Sequence, residues 1–261
     1  MILLTGGTGF VGRHLARQFV ADRRPVRVLS RTPHLAALPD AVTWAQGDLG
    51  DPSSTRDALR DVHTVVHAAA LDTGSTAASL EHTNVDGTTM LARIARDAGI
   101  RHFVHISSAG VYGDGGTPAA HRESDIPSPM TAYQRSKLAA EQTLMATLEG
   151  SGVPWTILRP PELYAADRLG TRIFFRNVAR RRLWLHGPAH MLVQPTHVTD
   201  LVSAVLLVVD RERSQRQVIN IGGARALELR EWIAMVGERM NHSPLQFKAP
   251  GSMRGMATLA T

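Results

Sequence analysis

Short apolar runs alternate with amphipathic stretches through the first 165 residues of the chain. Each run has four or five residues, the length of a buried strand, and the stretches between them space their apolar residues as a helix does. The predicted strands are Met1–Leu4, Val26–Ser30, Val42–Gln46, Thr64–His67, Phe103–Ser107 and Thr156–Arg159. The predicted helices between them are Val11–Val20, Ser53–Leu59, Leu80–Ala98 and Tyr133–Leu148. This alternation predicts parallel βαβ units, and therefore an α/β fold with a doubly wound parallel sheet of the Rossmann type.

The pattern becomes looser after Arg159. It predicts a turn at Gly187-Pro188 and four further elements, which are helices Thr171–Arg181, Val198–Val209 and Leu229–Met240 and a strand at Val218–Ile221. We expect a dinucleotide-binding domain over residues 1–165 and a small C-terminal substrate lobe over residues 166–261, with sheet and helix elements interleaved near 198–221. Residues 242–261 have little periodicity, and no structure is predicted for them.

The composition is that of an ordinary globular protein. The chain has 261 residues, of which 43% are hydrophobic and 20% charged, so it can bury a full core. It contains no cysteine, which excludes disulfides, thiol nucleophiles and thiolate metal sites. No apolar stretch approaches the roughly 20 residues that span a bilayer, and Met1–Leu4 runs directly into a glycine turn. We therefore expect a cytoplasmic protein with no membrane association.

The formal net charge of +6 comes almost entirely from arginine, since Lys137 and Lys248 are the only lysines. A basic balance can indicate a nucleic-acid partner. Here the arginines are scattered apart from Arg180-Arg181-Arg182, and no series of aromatic residues accompanies them. We expect a small-molecule substrate and no nucleic acid, and we leave homodimer formation open.

The sequence "TGGTGFVG" at residues 5–12 carries the first chemical signal. Gly6, Gly9 and Gly12 follow a predicted strand and open a predicted helix. In such a turn Gly6 permits the tight bend, Gly9 leaves room for a phosphate, and Gly12 lets the helix pack closely. A purely structural glycine turn is the alternative. The strand before it and the βαβ unit it begins favour a dinucleotide site.

Further motifs follow in a fixed order. They are "GDL" at 47–49, "VVHAAA" at 65–70, "NVDGT" at 84–88, "HISSAGVYG" at 105–113, "YQRSK" at 133–137, "LRPPELYA" at 158–165 and "HVTD" at 197–200. With the glycine turn, this series resembles the extended short-chain dehydrogenase/reductases, the NAD-dependent epimerase/dehydratase family, over residues 1 to about 225. The resemblance implies an NAD(P)-dependent oxidoreductase that transfers hydride at a C–OH or C=O carbon of a small molecule.

The resemblance also implies which residues bind the cofactor. They are Gly6, Thr8, Gly9, Phe10, Val11 and Gly12 at the turn, Asp48 and Leu49 beside the adenine, Ala68, Ala69 and Ala70 after the fourth strand, Asn84, Ser107, Tyr133, Lys137, and Pro160 to Leu163 at the nicotinamide. A carboxylate at the end of the second predicted strand would accept a hydrogen bond from the ribose 2′-hydroxyl of NAD, but the chain has Ser30 and Arg31 at this position. A hydroxyl followed by a guanidinium suits the 2′-phosphate of NADP. We predict NADP, with NAD as the alternative.

Tyr133 and Lys137 are four residues apart, so a helix places both on one face. An ammonium beside a tyrosine favours the phenolate and makes it a better base. Alignment with the family pattern selects Ser108 as the hydroxyl that polarises the substrate oxygen. We expect the neighbouring Ser107, and not Ser108, to cap the turn after the strand. The predicted catalytic residues are therefore Ser108, Tyr133 and Lys137.

The substrate is less well defined. Candidate substrate contacts are Tyr112, Glu162, Tyr164 and Arg176. Nucleotide-sugar members of the family usually have an asparagine where this chain has Pro161 and Glu162, which favours a net reductase or dehydrogenase. A nucleotide-sugar epimerase or dehydratase with tightly held NAD is the alternative, and a non-catalytic NADP-sensing protein is less favoured. The histidine pairs lack carboxylates at ligand spacing, so no metal site is predicted.

Overall fold

The computed structural model of the protein describes residues 1–34, 38–113, 120–180, 191–209 and 211–240. Its centre is a sheet of seven parallel strands flanked by helices, which confirms the predicted fold class. The strands of the described residues are β1 (Ile2–Thr5), β2 (Val26–Ser30), β3 (Thr43–Gln46), β4 (Thr64–His67), β5 (His102–Ile106), β6 (Trp155–Arg159), β7 (Leu163–Tyr164), β8 (Leu192–Val193), β9 (Thr196–His197), β10 (Gln217–Asn220) and β11 (Leu227–Glu228).

The helices alternate with the strands along the chain. They are α1 (Phe10–Ala21), α2 (Pro52–Ala58), α3 (Ala77–Leu80), α4 (Gly87–Asp97), α5 (Ala132–Leu148), α6 (Leu169–Ala179), α7 (Val198–Val209) and α8 (Leu229–Arg239). The prediction of one helix over Leu80–Ala98 is wrong, because a π-helical segment at Glu81–Asp86 separates α3 from α4. Such wide turns often occur at functional sites.

The strand order across the sheet is β3-β2-β1-β4-β5-β6-β10. Along the chain, β2 and β3 are added on one side of β1, and β4, β5, β6 and β10 are then added on its other side. The crevice at the carboxyl ends of β1 and β4 is where open α/β sheets bind ligands. The register places Thr5 beside His67 and His67 beside His105, so three polar residues lie side by side at this edge.

Both faces of the sheet are covered by apolar helix faces. Ile2, Leu4 and Val66 pack with residues of α1 and α7, while the alternate residues Leu3 and Val65 pack with residues of α2, α4 and α5. Successive side chains of a strand point to opposite faces, so near-continuous apolar runs are what a doubly covered sheet requires. This packing fixes α5 over the face that carries His67 and His105.

The chain forms two compact units. The first is Met1–Ala165 with Gln194–Arg225, and it includes α7 and β10; the second is Ala166–Val193 with Ala226–Thr261. In the second unit, α6 and α8 pack around Val178, Ile233 and Val236, and β8 pairs antiparallel with β11. The turn predicted at Gly187-Pro188 and the tail at 242–261 lie outside the described residues. Within the described chain, no helix is both long and apolar enough to cross a membrane.

Candidate active site

The glycine turn connects β1 to α1 at the carboxyl edge of the sheet. Gly6 has a φ of +69°, a conformation that suits glycine, and a Cβ there would lie 2.6 Å from the Ala69 nitrogen. A Cβ on Gly12 would overlap the Gly6 carbonyl oxygen, so α1 packs onto the turn only because Gly12 lacks a side chain. Gly7, whose role the spacing did not reveal, packs against β2, since its Cβ would lie 2.6 Å from Val28 Cγ1.

The first turn of α1 suits an anionic ligand. Gly9 is the N-cap residue and has no side chain with which to cap the helix; its N–H donates to the Gly6 carbonyl oxygen at 2.9 Å. No acidic residue lies in the first turn, and the helix dipole places partial positive charge there. Thr8, Phe10 and Val11 are half-buried around it. These residues fit the diphosphate of a dinucleotide.

Three alanines form the opposite side of this turn. Ala68 and Ala69 follow β4 and lie directly against Gly6, and Ala70 is exposed beyond them. The Ala69 N–H donates to Thr5 Oγ1 at 3.3 Å, which ties the segment to the end of β1. The structure therefore brings the predicted glycine and alanine contacts together at the carboxyl ends of the neighbouring strands β1 and β4.

The residues predicted for the adenosine end lie at neighbouring strand ends. Ser30 is the last residue of β2 and Arg31 directly follows it, while Asp48 and Leu49 follow β3. Arg31 Nε lies 3.9 Å from Asp48 Oδ2, and the side chains are 80% and 52% exposed. Ser30 Oγ donates to the Thr32 carbonyl oxygen at 3.0 Å. An exposed ion pair of this kind is weak, so the guanidinium is accessible to a phosphate.

Asn84 lies in the π-helical segment and is buried. Its Oδ1 accepts from the Leu71 N–H at 2.8 Å, and its Nδ2 donates to the Leu71 carbonyl oxygen at 3.1 Å and to Ser136 Oγ at 2.9 Å. Ser136 immediately precedes Lys137 on α5. Asn84 therefore connects the segment after the alanines to the helix that carries the predicted catalytic pair.

The start of α5 is fixed by a capping box. Thr131 Oγ1 accepts from the Gln134 N–H at 3.2 Å, and Gln134 Oε1 accepts from the Thr131 N–H at 3.0 Å. Gln134 Oε1 also accepts from the Met130 N–H at 2.7 Å. Since Tyr133 is the second residue of α5, these bonds determine where its side chain leaves the backbone.

Lys137 lies one turn after Tyr133 on α5 and is 2% exposed. Its Nζ donates to the Ile106 carbonyl oxygen on β5 at 2.7 Å. Burial lowers the pKa of Lys137 to about 8, and the negative charge of Glu141 opposes that shift. The half-buried Tyr133 thus has an ammonium one turn away on the same helix face.

The two serines after β5 differ from expectation. Ser108 is the N-cap of a 3₁₀ turn, and its Oγ accepts from the Gly110 N–H at 3.0 Å. Ser107 is buried, and its Oγ donates to the Glu141 carboxylate. The prediction that Ser107 caps and Ser108 does not is wrong, because alternation along the strand turns Ser107 toward α5. The cap occupies one lone pair of Ser108 Oγ and leaves its O–H able to donate.

A buried ion pair, which sequence reasoning missed, joins α5 to β6. Arg159 Nη2 lies 2.6 Å from Glu141 Oε2, and Arg159 Nε donates to Glu141 Oε1 at 3.0 Å. The signal that could have found it is spacing, since Glu141 follows Lys137 by the same four residues that separate Lys137 from Tyr133.

Tyr112 extends this network. Its hydroxyl accepts from Arg159 Nη1 at 2.7 Å and donates to Asn220 Oδ1 at 3.0 Å, and its ring stacks on His121 with centroids 4.7 Å apart. Tyr112 is only 6% exposed. Its hydroxyl is thus engaged inside the protein, and a direct contact with substrate stays a prediction that these bonds do not favour.

Two buried histidines lie on the α5-facing side of the sheet. His67 is within hydrogen-bonding distance of Thr5 Oγ1, at 2.6 Å, and Thr88 Oγ1, at 2.9 Å. The His105 ring lies 5.2 Å from it, and neither of its nitrogens has a hydrogen-bond partner among the described residues. Burial first, and the charge of Lys137 second, lower the pKa of His67 to about 3 and that of His105 well below its usual value.

The segment after β6 holds the last predicted contacts. The Pro160 carbonyl oxygen accepts from the Ala109 N–H at 2.8 Å, which joins this segment to the Ser108 turn. Leu163 and Tyr164 form β7, and Glu162 before them is exposed. Arg176 is exposed on α6, which belongs to the second unit.

Comparison with known proteins agrees with this geometry. The sequence profile of the NAD dependent epimerase/dehydratase family matches residues 2–222. The chain is 30% identical over 244 residues to the 4-hydroxy-2-methyl-3-oxo-4-farnesyl-3,4-dihydroquinoline-1-oxide ketoreductase of Stigmatella aurantiaca, covering 90% of this chain and 72% of the relative. It is 30% identical over 272 residues to the sterol demethylase protein B of Methylococcus capsulatus, covering 98% and 80%.

Solved structures show the same fold with a dinucleotide bound. MoeE5 in complex with UDP-glucose and NAD superposes with a TM-score of 0.80 at 29% identity, over 94% of this chain and 83% of that one. Other relatives are named as reductases, epimerases and dehydratases. The protein is therefore an enzyme of the oxidoreductase and epimerase/dehydratase type with a dinucleotide-binding Rossmann fold. The chain belongs to the NAD-dependent epimerase/dehydratase family.

Proposed function

We propose that the protein is an NADP(H)-dependent reductase or dehydrogenase acting at a C–OH or C=O carbon of a small, non-nucleotide substrate. The observation that carries the proposal is the buried Lys137. It lies one turn from Tyr133 and is bonded to the strand that leads to Ser108. Burying an amine at a strand end is costly, and a charge used in catalysis gives a reason for it.

Each residue has a separate task in this proposal. Ser108 donates its O–H to the substrate oxygen, and the hydrogen bond that Ser108 Oγ accepts from the Gly110 N–H holds the hydroxyl in place. Tyr133 gives a proton to that oxygen during reduction and removes it during oxidation. Lys137 stabilises the phenolate form of the tyrosine by its charge. The nicotinamide cofactor, when bound, supplies or accepts the hydride.

The preference for NADP is supported by the end of β2. Arg31 is exposed there beside Asp48, and Ser30 provides a neighbouring hydroxyl. A guanidinium binds phosphate through several N–H groups in a planar fork, which a ribose hydroxyl cannot match. The alternative, NAD, is the nucleotide named in the complex of MoeE5.

A non-nucleotide substrate is supported by two observations. Pro161 and Glu162 replace the asparagine that usually helps to place a nucleotide-sugar diphosphate in the family. Two relatives at 30% identity are named for a farnesylated quinoline oxide and for a sterol, neither of which is a nucleotide. A substrate without a diphosphate has no remote group by which the enzyme could hold an intermediate between two hydride transfers. Such a substrate suits a reaction in which the product leaves after one hydride transfer.

An epimerase or dehydratase that keeps NAD bound is the second candidate. It is favoured by the 29% identity to a protein that binds UDP-glucose and NAD, and by relatives named as epimerases and dehydratases. Denaturing the purified protein and analysing the released nucleotide separates the two. Stoichiometric NAD⁺, with isomerisation of a sugar nucleotide and no net change in nicotinamide absorbance, would establish the second candidate instead of the first.

The catalytic assignment is tested with Tyr133→Phe. The variant should bind the cofactor as the wild type does and lose turnover by about a hundredfold or more, because it keeps the ring and lacks the proton donor. Near-wild-type turnover would show that Tyr133 is not the acid–base residue. A third result would indicate an NADP-sensing protein instead. In that case the wild type and Tyr133→Phe bind the cofactor equally well, and the wild type turns over none of the ketones or alcohols tested.

A further inference from the structure

Glu141 is a buried carboxylate that the proposed reaction does not use. It lies one helical turn beyond Lys137 on α5, and its side chain is fully shielded from solvent. Burying a charged carboxylate is unfavourable unless the charge is paired and its oxygens are hydrogen-bonded. The partners of Glu141 therefore show what its position requires.

These partners come from the ends of two strands. Oε1 accepts from Ser107 Oγ at the end of β5 and from Arg159 Nε on β6, and Oε2 accepts from Arg159 Nη2 at 2.6 Å. The same two strand ends are joined through the backbone, where the Ser107 N–H donates to the Leu158 carbonyl oxygen at 2.8 Å. One side chain thus ties a helix to two neighbouring strands.

Each tied segment carries part of the proposed machinery. Ser108 directly follows Ser107, and Pro160, at the predicted nicotinamide segment, directly follows Arg159. Lys137 precedes Glu141 by one turn, and its Nζ is bonded to the carbonyl oxygen of the residue before Ser107. A change at the carboxylate would reach all three segments.

We propose that Glu141 is a positioning residue of this site, whose paired carboxylate holds the end of β5, the end of β6 and the Lys137 turn of α5 in one arrangement and supplies the negative charge next to the lysine. The inference rests on the proposed function of Lys137. A direct measurement on the lysine nevertheless tests it separately from activity.

Glu141 is the main source of negative charge next to Lys137. Among the described residues, the charged or titratable groups that interact with Lys137 are His67 on β4, His105 on β5 and Glu141 on α5. Tyr133 lies one turn before the lysine on α5, and Arg159 on β6 is paired with Glu141. Both imidazoles are kept neutral by burial. The charge of Glu141 raises the pKa of Lys137 against the larger effect of burial, which lowers it. Without that charge the lysine would lose its proton at a lower pH.

The experiment uses the fact that the chain has two lysines, Lys137 and Lys248. Full-length protein labelled with ¹³C at lysine Cε gives two side-chain signals, and Lys248→Arg assigns them. Titration of the wild type is compared with Glu141→Gln, which keeps the shape and one acceptor oxygen but removes the charge. The matched control is Glu149→Gln, an exposed glutamate just past the end of α5.

In Glu141→Gln the titration midpoint of Lys137 should fall by about one pH unit, and the alkaline limb of the kcat/KM profile should move down with it. Glu149→Gln should leave both unchanged. A Lys137 midpoint equal to that of the wild type would overturn the inference, whatever the turnover does. A midpoint that falls while the kcat/KM profile stays in place would support the role of Glu141 and contradict the proposed function of Lys137.

A second variant covers the case in which Glu141→Gln does not fold. Combining Glu141→Leu with Arg159→Met removes both members of the ion pair together, which proteins tolerate better than the loss of a single partner. The Lys137 midpoint should fall in this variant as well, because the carboxylate is gone. An unchanged midpoint here would refute the inference equally.

Discussion

Mild acid should destabilise the folded protein through its buried histidines. His67 lies between Thr5 and Thr88 with no exposure to solvent, and burial, reinforced by the charge of Lys137, lowers its pKa to about 3. In the unfolded chain the same imidazole takes up a proton near pH 6.5. Above pH 6.5 both states are neutral and the stability is present in full. As the pH falls from 6.5 toward 3, only the unfolded state binds the proton, so stability is lost.

The size of this effect follows from the two pKa values. Between pH 7 and pH 5, a group with a pKa of about 3 folded and about 6.5 unfolded lowers the free energy of unfolding by about 2 kcal/mol. Below the folded pKa the loss stops growing, because both states are then protonated. His105 changes stability in the same direction, since its pKa is also lowered by burial.

Urea unfolding followed by tryptophan fluorescence, at constant ionic strength between pH 7 and pH 5, measures this loss. His67→Gln removes the imidazole, so its loss over that interval should be smaller than that of the wild type by about 2 kcal/mol. His82→Gln is the control, because its side chain is 74% exposed, and it should lose as much as the wild type. If His67→Gln and the wild type lose the same stability, the imidazole of His67 is not kept neutral by its surroundings.

Three further outcomes are expected. Arg31→Ala should weaken NADP binding about tenfold to a hundredfold and leave NAD binding unchanged in a calorimetric titration of both cofactors. Tighter binding of NAD than of NADP by the wild type would refute the proposed preference for NADP. Gly12→Ala should weaken cofactor binding and lower stability by ~1–3 kcal/mol, because its Cβ would overlap the Gly6 carbonyl oxygen. Gly170→Ala, where nothing lies within 4 Å of the added Cβ, is the control. His105→Leu should raise stability at pH 7 by ~1 kcal/mol, since it removes two buried nitrogens that have no hydrogen-bond partner among the described residues. A loss of stability in urea would mean that the imidazole is hydrogen-bonded.

Local sequence patterns were sufficient for the sheet. Each of the seven predicted strands is found with its ends moved by no more than one residue. A short apolar run between turn residues has few other ways to bury itself, so strand length and place are local properties. The family motifs follow from the sequence in the same way, and the match over residues 2–222 confirms the family. The catalytic assignment of Tyr133, Lys137 and Ser108 stays a prediction.

The π-helical segment could not be predicted from the same patterns. Apolar spacing over residues 80–98 is compatible with one continuous helix, and the wide turn at Glu81–Asp86 has no separate signal in that spacing. What stabilises the wide turn is Asn84, whose partners Leu71 and Ser136 are 13 and 52 residues away along the chain. Only the folded sheet brings those partners together.

The sequence by itself determined the order of elements, the glycine turn and the four-residue spacing of Tyr133, Lys137 and Glu141. The tertiary structure decided which serine caps the turn and which carboxylate is buried, since Glu141 meets Ser107 and Arg159 across 34 and 18 residues. The physical reason is that spacing along a helix sets which side chains share a face. The partner of a buried charge depends instead on which strand ends pack against that face.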